Sequence, residues 1–438
     1  MRTEYWKKEG RTSAEQLLAD LSKDGKPHEW LRAPMIELKM RALASQMSRK
    51  WPSGDPVRWE VLRHAINECI TGQRPGLAAL EDQLDAIWAA SRRSIATGKK
   101  LHRIVIAVEF APGPGVTLPI TVESLGRCFE IRSFTSLDDC FGKSASDADL
   151  SLRLHTNGQP PPAYAVTEVS AASAHLAIDE ALDAFMLWRS ILNFAGAFSG
   201  WHIQFVPQAR ADVPPPRWVV SLAEGEEASP VTYGGAPLIA PKRPAREIGA
   251  DRLQLAAWLL KPLVADAPES STVRLLADGF RIFGMAVDQE VWHQTLLVLW
   301  QLAEHLTVID GAREKHDEIC KRLPQMRSPQ SARDPALVAV ALRDIMHMRH
   351  AIVHRGAFGT PVDDDVSFLQ DCCTEALWWL AKHHETLQEV EQLRIYFQYA
   401  SATETQVGRV QHVLSKLPEI IQRRNLPDDG AFATVAQS

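Results

Sequence analysis

Apolar positions recur at helical spacing along most of the chain, with one interruption near the middle. Leu17, Leu18 and Leu21 predict a helix from Ser13 to Leu21, opened by the cap-like Thr12 and Ser13. Trp59, Leu62, Ile66 and Ile70 fall on one face from Pro56 to Ile70, and a proline is tolerated where a helix starts. Leu80, Leu84, Ile87 and Trp88 repeat the pattern from Leu77 to Ile95. The period then changes. His102 to Phe110 is β-branched and strand-like, and Ala111 to Gly115 reads as a turn. Leu118 to Val122, Cys128 to Phe134 and Tyr164 to Val169 are further strand candidates.

Helical spacing returns at Ala174 to Ala197, where Leu182, Phe185, Met186, Arg189 and Leu192 track one stripe. Arg189 in such a stripe reads as a snorkelling or paired arginine rather than a ligand contact. The Pro- and Gly-rich stretches Val213 to Arg217 and Ser229 to Pro244 read as surface loops. Five more helices follow: Asp251 to Val264, Glu269 to Val287, Glu290 to Val308, Pro335 to Val353 and Val366 to Gln388. Gln388 to Arg424 continues helically, and Leu426 to Ser438 reads as a frayed tail. The expected fold is α+β and mostly helical. An N-terminal helical region (1–100) precedes a small α+β middle domain with a Pro/Gly-rich linker (101–250). A helical region (251–424) and a flexible tail (425–438) complete it.

Composition adds little. A net charge of −6 over 438 residues argues against a generally basic nucleic-acid coat, but leaves room for a local basic site. Six cysteines without a C-x-x-C pair suggest reduced thiols and no zinc finger. The N-terminal residues lack a signal-peptide core, and no apolar run approaches the ~20 residues of a membrane helix. The expectation is a cytoplasmic protein with no membrane partner and no cofactor.

The chemistry-bearing residues gather in Pro335 to His354. At about 100° per residue, Leu342, Ile345, Met346, Ile352 and Val353 share a face, and Arg349 falls within it. His347, His350 and His354 collect on an adjacent face, and Gly356 and Gly359 end the helix. Three readings are open. Arg349 pairs with a buried acid such as Glu304 and the histidines are solvated. Alternatively, His350 and His354 chelate a metal at i, i+4, although no further ligand stands at a motif spacing. In the third, a histidine exchanges protons near neutral pH while Arg349 grips two phosphate oxygens. Between Arg313 and Arg355 nine basic residues face five acidic ones, compatible with RNA or with a solvated basic loop at Asp310 to Asp334.

The wording around these positions resembles the Arg-(Asn/Asp/His)-x-x-x-His signature of the HEPN superfamily, in its Apea-like branch. Here Arg349, His350, Ile352-Val353, His354 and Gly356 hold the motif places. Leu296 to Leu306 resembles the family's long apolar helix, with Glu304 in the acidic place. The likeness spans roughly Asp251 to Gln388. It departs from the family at His350, where Asn is more usual, which leaves the role of that residue open.

The resemblance implies an antiparallel helical bundle that forms a homodimer with two motifs facing one cleft. It implies metal-independent cleavage of RNA by attack of the ribose 2'-hydroxyl, in a bacterial defence or toxin-like setting. Arg349, His354 and His350 would be the catalytic group, supported by Glu304. On an ideal helix Arg349 and His354 stand about 140° apart, so they meet through the long arginine, a helix distortion or a second subunit. The alternative is a non-catalytic HEPN-containing module that binds RNA or a ligand. The middle domain carries no defensible nucleophile–base pair, phosphate loop or metal spacing, and reads as a sensor.

Overall fold

In the computed structural model the described residues are 10–22, 76–96, 99–109, 111–133, 163–171, 174–199, 211–216, 218–223, 229–232, 247–289, 291–308, 316–327, 334–356 and 362–400, with isolated positions before 76 and between 405 and 416. The N-terminal helices α1 (Gly10–Ser22) and α2 (Leu77–Ala96) pack together. Leu17, Leu18, Leu80 and Leu84 are buried in a small core of their own, joined by Leu62, Ile66 and Cys69. The rest of the Pro56 to Ile70 prediction lies outside the described residues, as does the tail.

The strands β1 (Lys100–Val108), β3 (Ile120–Ser124), β4 (Arg127–Ser133), β5 (Ala163–Ala171), β6 (Trp218–Ala223) and β7 (Ser229–Thr232) form one antiparallel sheet in the order β3-β4-β5-β1-β6-β7. The short β2 (Ala111–Pro112) and β8 (Glu247–Ile248) pair in parallel. Four strands escape the sequence pattern: β2, in the stretch expected to be a turn, β8, and two of the main sheet. Trp218–Ala223 lies between Pro-rich and polar stretches, and Ser229–Thr232 sits inside a segment expected to be a loop. Pro230 is tolerated because β7 is an edge strand and needs no donor on its outer side.

Helix α3 (Ala174–Ser199) lies between the sheet and the later helices. It is buried on nearly every side, from Ala177 and Phe185 to Trp188 and Phe194, as expected of a helix covered all round. It contacts β1, β3, β5 and β6, and also α4 (Ala250–Leu260) and α5 (Thr272–Val287). One buried cluster consequently runs from Ile104 to Phe397.

The α3–α5 crossing is close because Gly284 stands opposite Ser190; a Cβ on Gly284 would meet Ser190 Oγ at 2.0 Å and its Cβ at 2.7 Å. The stripe arginine is a paired one. Arg189 donates to both carboxylate oxygens of Asp288, to Oδ1 at 2.8 Å, and to the Val213 carbonyl at 2.9 Å.

The helical part continues with α6 (Trp292–Leu306), α7 (Asp317–Arg322), a single 3-10 turn at Leu323–Gln325, α8 (Pro335–Arg355), α9 (Asp363–His383) and α10 (Val390–Tyr399). Helix α6 packs on α5, α9 and α8, and α7 packs on α8. The reading of Asp310 to Asp334 as a solvated loop does not hold for its described part. Ile319, Cys320, Leu323 and Met326 are buried there, and they fix a short helix against the bundle. Among the described residues no helix is long and apolar enough to cross a membrane.

Candidate functional site

Helix α8 is delimited by local chemistry. The Asp334 carboxylate accepts from the Ala336 N–H at 2.8 Å, Pro335 occupies the first turn, and Gly356 ends the helix in the left-handed region at φ 62°. Val338, Leu342, Ile345 and Ile352 are buried, with Met346 and Met348 packed beside them. Val353 departs from the predicted face. It is 48% exposed, since it lies in the last turn of the helix.

Arg349 points from this buried side toward α6. Its Nη2 lies 3.8 Å from Glu304 Oε1, and the two side chains are 24% and 28% exposed. That separation is an ion pair rather than a hydrogen bond. Glu304 is held from its own helix, because Trp300 one turn earlier donates Nε1–H to the same Oε1 at 2.8 Å. Trp300 is itself buried. The carboxylate is thus anchored by an indole and faces the guanidinium, whose N–H groups make no hydrogen bond to the described residues and remain for another acceptor.

The histidines occupy the exposed side of α8 next to this one. His347, His350 and His354 are exposed, and the His350 and His354 rings lie 4.3 Å apart between centroids. Desolvation, followed by repulsion from His354, Arg355, Arg349 and His347, holds His350 below the ordinary histidine pKa. Of the predicted site residues the fold brings Arg349 to Glu304 and His350 to His354; between the two pairs the described residues show no hydrogen bond or ion pair, only the repulsion of His350 by Arg349. No group of three or more His, Cys, Asp or Glu side chains is placed to hold a metal ion among the described residues.

One site residue is invisible to the sequence pattern. His316, at the N-terminal boundary of α7, places Nδ1 3.3 Å from Glu304 Oε1 and is 47% exposed. It stands in the basic stretch read either as an RNA contact or as a solvated loop, and no periodicity relates it to Glu304.

Not all of the basic residues counted around α7 face outward. Arg322 donates to the Thr307 carbonyl at 3.1 Å and lies over the Phe397 ring, 5.6 Å from its centroid. Arg327 is buried and bonded to Glu375. Both arginines hold the bundle together, while Lys321, Arg343 and Arg355 are among the described basic residues that stay exposed. No family model, curated protein or solved structure matches the chain.

Proposed function

We propose that this chain is a metal-independent endoribonuclease of the HEPN type, working as a homodimer through its C-terminal helices. The observation that carries the reading is the state of Arg349. It is half-buried, held by one carboxylate, and its N–H groups make no hydrogen bond to the described residues, which suits a guanidinium that takes a phosphate. A histidine takes the 2'-hydroxyl proton and the 2'-oxygen attacks phosphorus. Arg349 stabilises the charge gathering on the non-bridging oxygens, and the 5'-oxygen leaves with a proton. The products are a 2',3'-cyclic phosphate and a 5'-hydroxyl. The facing subunit brings its His354 to Arg349, since on one helix the two stand about 140° apart.

A second reading is a non-catalytic module that binds RNA or a ligand. It is favoured by the same separation of Arg349 from His354, which gives Arg349 a structural role beside Glu304 and Trp300. Incubation of the full chain with mixed RNA, with and without EDTA, separates the two. Cyclic-phosphate ends that persist in EDTA and vanish in Arg349→Ala and His354→Ala support the nuclease. Intact RNA bound by the protein supports the module. Loss of cleavage in EDTA with recovery on adding zinc removes the metal-independent mechanism.

A further inference from the structure

The cleavage described above requires two proton transfers, one from the 2'-hydroxyl and one to the 5'-oxygen, and the helix α8 signature accounts for only one histidine near each phosphate. Glu304 Oε1 is shared by three groups: Trp300 Nε1 at 2.8 Å, His316 Nδ1 at 3.3 Å and Arg349 Nη2 at 3.8 Å. His316 comes from the start of α7 and Arg349 from α8, two elements packed on each other. An imidazole and a guanidinium from separate helices therefore meet at one carboxylate, and both are part-exposed.

On this basis we infer that His316 is the group that removes the 2'-hydroxyl proton, on the same subunit as the Arg349 that holds the phosphate. The inference rests on the ribonuclease reading and adds to it a residue that the signature does not contain. The geometry supplies the role. His316 Nδ1 lies 3.3 Å from the carboxylate of Glu304, which Trp300 holds in place, and that carboxylate favours a proton on Nδ1, which leaves the lone pair of the neutral ring on Nε2. A carboxylate that orients an imidazole in this way prepares it as a base. Nε2 takes the proton, the P–O2' bond forms, the P–O5' bond breaks, and the 5'-oxygen acquires its proton from a second acid. His354 of the facing subunit serves that step. The substrate is accordingly single-stranded RNA, because the attacking 2'-oxygen must swing into line with the leaving 5'-oxygen, which an A-form duplex prevents.

The test uses the full chain and two substrates: an RNA oligonucleotide, and the same oligonucleotide with sulfur replacing the bridging 5'-oxygen at one linkage. A sulfur leaving group departs without protonation, so loss of the acid is masked and loss of the base is not. His316→Gln is expected to lower the cleavage rate at least 100-fold on both substrates. His354→Ala is expected to be slow on RNA and near the parent rate on the sulfur substrate. Free imidazole is expected to restore part of the activity of His316→Gly. Thermal melts matching the parent establish that the exposed His316 was not needed for folding. Parent-like cleavage by His316→Gln, or a defect that disappears with sulfur, overturns the assignment and leaves the ribonuclease reading standing. A parent protein that cleaves neither substrate overturns both.

Discussion

Glu304 Oε1 lies 3.8 Å from Arg349 Nη2, with about a quarter of each side chain open to solvent. The pairing expected from two improbable core residues is present, and its exposure sets its worth. A fully buried pair broken from one side costs about 3–5 kcal/mol, whereas water screens this one. Removing the carboxylate also strands the buried Trp300 N–H. Glu304→Ala should therefore destabilise by about 1–2 kcal/mol. Arg349→Ala should cost less, about 0.2–1 kcal/mol. His354→Ala should melt with the parent, because its ring is exposed. Denaturant titration of the three variants checks the order. An Arg349→Ala cost above that of Glu304→Ala would mean that the guanidinium packs more deeply than its exposure indicates.

The His350 imidazole should titrate below ~6.5, the usual histidine value, and be predominantly neutral at pH 7. Desolvation leads the causes, and repulsion from His354 follows. The sign is that of a disfavoured cation, so removing a neighbouring positive group moves the value upward. In His354→Ala the NMR titration midpoint of His350 should rise toward the ordinary histidine value without reaching it, since the first cause persists. A midpoint that stays put or falls in the variant would show that the ring pair is not coupled. A neutral His350 offers one donor and one acceptor, which separates its part from that of the permanently charged Arg349.

The helices of the bundle were legible because each carries a long apolar stripe with a clear stop. Pro335 and Gly356 bracket α8, and the left-handed Gly356 falls where the pattern ends. The Glu304–Arg349 relation was legible for a related reason: each is charged at a position where periodicity demands an apolar residue. His316 shows the opposite case. Its partner is 12 positions away on another helix, and only tertiary packing joins them. The inward turn of Arg322 and Arg327 is hidden by the same limit, since charge along a sequence does not record which guanidinium is turned onto Thr307, Phe397 or Glu375. The strand β7 was missed because Pro230 argues against a strand unless its edge position is known.

At the α3–α5 crossing, Gly284→Ala places a methyl group 2.0 Å from Ser190 Oγ and 2.7 Å from its Cβ. Both atoms are near a rigid backbone, so the helices must separate. Overpacking of this kind costs about 1–3 kcal/mol. Ser190→Gly removes the opposing atoms, and the double variant should recover most of the loss beyond the separate cost of a glycine in α3. A double-mutant cycle measures this. Additive effects would mean that the crossing relaxes without strain.

Arg189 should be the costliest polar residue to replace. Its side chain is 1% exposed, and that of Asp288 is 16% exposed. The guanidinium meets both carboxylate oxygens of Asp288, at the C-terminal end of α5, and the Val213 carbonyl in the Pro-rich connection. Asn193, one turn along α3, binds the same segment from both ends of its amide, donating to the Val213 carbonyl at 3.0 Å and accepting its N–H at 2.9 Å. Arg189→Met keeps most of the volume but leaves Asp288 facing α3 without its cation and one Val213 interaction unmade. The expected loss is about 3–5 kcal/mol. Asp288→Asn retains the carbonyl contact and one hydrogen bond, and should cost less than Arg189→Met. Because α3 joins the sheet to the bundle, the loss should lower a single unfolding transition for both layers. Hydrogen exchange on β1 and α6 would read this directly. Faster exchange in α6 alone, with β1 unchanged, would show that the two layers unfold independently and that Arg189 does not couple them.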